Sequence, residues 1–91
     1  MPKKKVLNLL KEATMREIHR MEKVFTGLKV INENPVLDMA RRYFEDAKFF
    51  ASKEKWLEAF EAVVISWAYI DALLHLGYVD VPKELQNLFT R

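Results

Sequence analysis

Asp71 and His75 stand one helical turn apart, and no other pair in the chain comes nearer to a chemical site by residue type and spacing. A carboxylate beside an imidazole can act as a general base with its orienting partner, or as half of a metal site. Asp71 falls among Phe60, Val64 and Trp67 on an otherwise apolar stripe, which makes Asp71 and His75 the candidate buried polar pair. A catalytic centre also needs a nucleophile or oxyanion donors, and a metal needs further ligands. The chain has no cysteine and only one other histidine, His19, and no such set is evident in it. A structural hydrogen bond, from a Tyr hydroxyl, a Trp N–H or the His75 ring, accounts for Asp71 more simply. No catalytic residue, metal ligand or cofactor is therefore assigned, and enzymatic activity is not expected.

The second constellation is basic. Arg16, Arg20 and Lys23, with His19, populate one side of the first helix, downstream of Lys3, Lys4 and Lys5. A basic helix face behind a basic arm is how phosphate backbones are held without base readout. Residues 1–31 carry eight Lys/Arg against three Glu, a balance of +5, although the whole chain is only +2. Glu12, Glu17 and Glu22 interrupt the face, and no aromatic residues alternate with it as stacking platforms. An ordinary solvated face is the plainer reading, with nucleic-acid binding as the alternative function.

These residues must be positioned by helices. Of 91 residues, 51% are hydrophobic, and there are only two glycines and three prolines, which favours a few long helices over many short strands. Leu7, Leu10, Ile18, Met21, Phe25 and Leu28 repeat at helical intervals and predict a first helix over about 3–31. Asn34 and Pro35 read as the cap and first residue of a second helix, 35–52. On it, Leu37, Ala40, Tyr43, Phe44, Ala47, Phe50 and Ala51 share one face, Phe49 falls on the polar side, and Asp38–Arg42 and Arg41–Glu45 are spaced to pair. A break at 52–55 leads to a third helix over 56–76, so the two form an antiparallel hairpin. Ala47, Phe50, Ala59, Val63 and Ser66 suit a tight helix pair, and a single copy makes no solenoid. Gly77 stops the third helix, and a short last helix is expected over 82–89, its Leu85, Leu88 and Phe89 covering one end. The fold class is all-α: one domain, 1–91, a three-helix up-and-down antiparallel bundle with a short C-terminal helix.

The third helix is apolar nearly all round. One stripe holds Trp56, Ala59, Phe60, Val63, Trp67, Ile70 and Leu74. A second, with Ile65, Tyr69, Leu73 and Leu76, is the candidate interface, because a helix apolar on both sides is central or shared with a partner. The expected partner is a second copy of the chain or another helical protein; the competing account has Leu85, Leu88 and Phe89 fold over that stripe. No apolar run approaches a bilayer-spanning length of about 20 residues. A cytoplasmic protein with no membrane partner is expected.

The stretch Tyr43-Phe44-Glu45-Asp46-Ala47-Lys48-Phe49-Phe50, then Trp56, Ala59 and Phe60, then Ser66-Trp67-Ala68-Tyr69-Ile70-Asp71-Ala72 with Leu76-Gly77, resembles the archaeal family catalogued as domain of unknown function 357. The resemblance covers about residues 35–80, and its most specific piece is Asp71-Ala72 followed by Leu76-Gly77. It implies a compact three-helix up-and-down bundle of archaeal, cytoplasmic type, and brings no site residue with it. Two departures stand out. Glu54-Lys55 replaces the family's usual Gly-Asp turn, and Tyr69 lies where a small residue commonly precedes the Asp-Ala pair.

Overall fold

A chain in which three long apolar-striped segments are separated by short polar links must bury those stripes against one another. It does so in a computed structural model that describes residues 2–89. Met1, Thr90, Arg91 and the side chains of Pro2 and Lys3, the last part of the basic arm, lie outside the described residues. Three helices, α1 (Pro2–Gly27), α2 (Pro35–Ser52) and α3 (Trp56–His75), run up, down and up. The expected short last helix forms as a 3-10 helix, Lys83–Leu88.

The α2–α3 hairpin is the tightest part. Small residues set its spacing: Ala40 and Ala47 on α2, and Ala59 and Ala62 on α3, are all buried. Buried Ser66 donates its hydroxyl to the Ala40 carbonyl at 2.7 Å, so the one polar group at this seam is satisfied. Asn34 caps α2 by accepting the Leu37 N–H at 3.0 Å, with Pro35 next to it. The hairpin turn closes with the Glu54 N–H on the Ala51 carbonyl and the Lys55 N–H on the Phe50 carbonyl, while Glu54 takes φ 57°. This is the left-handed helix stop in which glycine is usual. The departure from the family's Gly-Asp turn therefore puts a side chain where glycine costs less.

Helix α3 is the centre of the bundle, with α2 on one side and α1 on another, while α1 and α2 touch each other little. Met21 and Val24 of α1, Leu37 and Phe44 of α2, and Val63, Ile70 and Leu73 of α3 form the core. Phe25 stacks on Phe44, ring centroids 4.9 Å apart, where α1 meets α2. Phe49 is exposed, as its place on the polar side requires. Arg41 pairs with Asp38 and Glu33, and Lys48 with Glu45, rather than in the i,i+4 pairs expected from spacing.

The first helix stops at Gly27, short of the expected Ile31. A two-residue ribbon follows, in which β1 (Lys29–Val30) pairs antiparallel with β2 (Val79–Asp80). The β-branched Val30, Ile31, Val79 and Val81 favour extended backbone here, and the Ile31 and Asn32 N–H groups both reach the Tyr78 carbonyl at 3.0 Å. Gly27 lies so close to Pro82 that a β-carbon would sit 2.7 Å from its ring. Gly77, at φ 78°, ends α3 as expected, with the Tyr78 N–H on the Leu73 carbonyl and the Gly77 N–H on that of Leu74. Val79 makes the apolar contact behind this stop; Tyr78 is exposed.

Candidate functional site

The Asp71–His75 pair forms, loosely. The ring Nδ1 lies 3.8 Å from the carboxylate and 3.2 Å from the Asp71 backbone carbonyl. The Asp71 side chain is largely covered at 18% exposure, whereas that of His75 is 46% exposed. The candidate buried pair is thus a half-buried carboxylate with a surface imidazole on its rim. Among the described residues no three His, Cys, Asp or Glu side chains are grouped to hold a metal.

A cleft of about 310 Å³ opens between α1 and α3, lined by Glu17, Arg20, Met21, Val63, Val64, Trp67 and Leu88. Its floor is built by the C-terminal segment. The Trp67 indole N–H donates to the Leu88 carbonyl at 3.0 Å, and its ring stacks on buried Phe89, centroids 5.8 Å apart. The lining is apolar apart from Glu17 and Arg20, which are bound to each other at 2.6 Å. Asp71 and His75 do not line it. Aliphatic walls and a neutralised ion pair can cradle an apolar side chain, and provide no group poised for proton or group transfer.

Arg16, Arg20 and Lys23 share one exposed face of α1. Arg20 is engaged by Glu17, and Glu22 lies beside Lys23 and within 3.9 Å of the Lys48 ammonium. The face is positive yet patched with acid.

The candidate interface is redrawn. Leu73 is buried, only 2% exposed, and belongs to the core between α2 and α3. Tyr69 is half-buried and packs its ring against Tyr43 of α2, 5.9 Å between centroids. Ile65 and Leu76 do face solvent, and they are joined by Val64, Ala68 and Ala72. Leu88 and Phe89 seal the Trp67 side of α3 instead of this face. The outward stripe of α3 is therefore Val64, Ile65, Ala68, Ala72 and Leu76, with no charged residue among them. Ala68 and Ala72 carry no signal in the sequence, because alanine reads equally as contact or surface, and only the docking side of α1 decides which.

A further exposed apolar group includes Leu7, which its spacing places on the apolar stripe of the first helix. Val6, Leu7 and Leu9, near the start of α1, face solvent, as does Leu57 at the start of α3. The signal was present in the predicted lengths, since the first helix was longer than the hairpin it had to cover.

No described helix is long and apolar enough to cross a membrane. Among solved structures, a crystal structure of a protein from Archaeoglobus fulgidus, assigned to the same family model as this chain, superposes with a TM-score of 0.75. It has 22% sequence identity and covers 85% of this chain and 99% of its own. That likeness shows the fold. No curated protein matches. The family model described as "Protein of unknown function (DUF357)" matches residues 7–79, most of the chain, from within α1 to past the end of α3, so the chain belongs to that family.

Proposed function

We propose that this chain is a non-enzymatic helical interaction module that self-associates through the outward face of α3. One observation carries the reading: Val64, Ile65, Ala68, Ala72 and Leu76 form an apolar stripe, with the exposed His75 beside it, that α1, α2 and the C-terminal segment leave in water. Alanines one turn apart let a second helix approach closely, and the larger residues on either side close the ends of such a contact. The stripe is self-complementary. Antiparallel pairing about a two-fold axis between Ala68 and Ala72 sets Val64 of one copy over Leu76 of the other and Ile65 over the His75 ring, with no Lys, Arg, Asp or Glu among the stripe residues.

Sedimentation equilibrium tests this. A dimer at micromolar concentration is expected, reverting to a 10.8 kDa monomer when Ala68 is changed to Glu. A wild-type chain that stays monomeric overturns the reading. Nucleic-acid binding through Arg16, Arg20 and Lys23 is the weaker alternative, since Glu17 already neutralises Arg20.

A further inference from the structure

Helix α1 outlasts the hairpin it packs on. At 1.5 Å per residue, its 26 residues span about 39 Å, against about 30 Å for the 20 of α3. The two helices are in register where the Thr14 hydroxyl reaches the Trp56 carbonyl, 3.3 Å away, at the start of α3. Residues 4–13 therefore run from beside the hairpin turn, where Lys11 meets Trp56, out past its tip, in keeping with a long dimension of 47 Å for the molecule. Thr14 is the first buried side chain of α1 among the described residues. Before it, Val6, Leu7 and Leu9 are 62%, 56% and 57% exposed.

This overhang is amphipathic in its own right. At about 100° per residue, Leu9, Ala13, Val6, Leu10 and Leu7 fall within roughly 160° of the helix circumference. Lys4 and Lys11 border one edge of that arc, Lys5 borders the other, and Asn8 and Glu12 lie opposite. Lys4, Lys5 and Lys11 against Glu12 leave this segment at +2. Beside it, the hairpin turn adds exposed Lys53 and Lys55 with Glu54, then half-buried Trp56, whose ring has the Lys11 ammonium 5.5 Å from its centre. Leu57 follows, exposed.

We propose that the α1 overhang is an interfacial helix that docks on the surface of an anionic lipid bilayer, its apolar arc in the acyl boundary and its lysines on the headgroup phosphates. The breadth of the arc decides the occupant. A seam between two helices needs a narrow stripe, whereas a wide apolar arc with cations at both edges fits a broad apolar medium rimmed by phosphate. Two overhangs packed together would oppose like charges, and a nucleic acid would meet the lysines yet leave the leucines in water. The expectation of no membrane partner rested on the lack of a spanning run, and a helix that lies in the interface needs none. The surface is separate from the outward face of α3, so either assignment can fail alone.

The test is co-sedimentation of the full chain with vesicles of phosphatidylcholine alone or mixed with phosphatidylglycerol. Binding to the mixed vesicles should be on the order of tenfold tighter, and should weaken with salt. L7E/L9E should abolish binding, and K4E/K5E should reduce it on the order of tenfold. Both should keep the wild-type far-UV circular dichroism, because the changed residues are exposed. Ala68→Glu should leave vesicle binding unchanged. The proposal is overturned if the wild type stays in solution with mixed vesicles, or if L7E/L9E sediments with them as well as the wild type. Loss of dimer in L7E/L9E without vesicle binding by the wild type would instead assign the arc to a second copy. A DNA duplex bound in preference to vesicles would assign the lysines to nucleic acid.

Discussion

The α2–α3 hairpin and the first half of α1 are built from similar residues and end in opposite states. In the hairpin, alanines at the seam bring the backbones together, Ser66 bonds across it, and large side chains such as Leu37 and Ile70 are wholly enclosed. In α1 from Lys4 to Leu9, leucine and valine repeat at the same helical spacing, and every one of them is exposed. A helical apolar pattern announces that a face seeks cover. Whether the chain itself supplies that cover depends on the reach of the neighbouring elements, and here α3 begins level with Thr14.

The comparison breaks most sharply under truncation of single side chains. Ile70→Ala should cost about 3 kcal/mol in a denaturant melt, since it opens a cavity in an enclosed core, while Leu7→Ala should stay within about 0.5 kcal/mol. Equal losses at the two sites would mean that the overhang is covered after all.

The two helix stops of the hairpin sharpen it further, with effects of opposite sign. Gly77→Ala should destabilise by about 1 kcal/mol, because φ 78° is unfavourable to a side chain even with open space around it. Glu54→Gly should stabilise by about 0.5–1 kcal/mol, by giving the left-handed position the residue it favours, partly offset by greater freedom in the unfolded chain. Thermal melts of the two variants should move in opposite directions; a fall in both would refute the account of Glu54. The smallest effect belongs to α1's surface. Arg20→Ala removes an exposed ion pair with Glu17, and urea titration should find a change below about 0.5 kcal/mol.

How far the sequence alone specifies the structure follows the same division. The hairpin was legible because Asn34, Pro35 and Gly77 are local signals whose consequences are settled within a few residues of each. The end of α1 was not, because Lys29 and Val30 are drawn out of the helix by Val79 and Asp80, far along the chain. The outward face of α3 was half legible. A helix apolar on all sides carries no phase of its own, so Leu73 and Ala72 exchange roles according to where α1 lies. Ile65 and Leu76 face solvent, as the second stripe implies, and Val64, Ala68 and Ala72 join them only once the place of α1 is fixed. The Asp71–His75 spacing predicted the pair, but not that the imidazole would stand at the surface.

The ribbon of Lys29–Val30 with Val79–Asp80, and the seat of Gly27 against Pro82, bear on the order in which this molecule assembles. α2 and α3 can zip together as soon as their short turn is made, since their contacts are near in sequence. α1 precedes both along the chain, yet the strand that clasps its far end and the Phe89 that stacks on Trp67 beside the cleft follow both. The helix that comes before the hairpin is thus fastened by segments that come after it, and those closures span about fifty residues of chain, which makes them the slower ones to form.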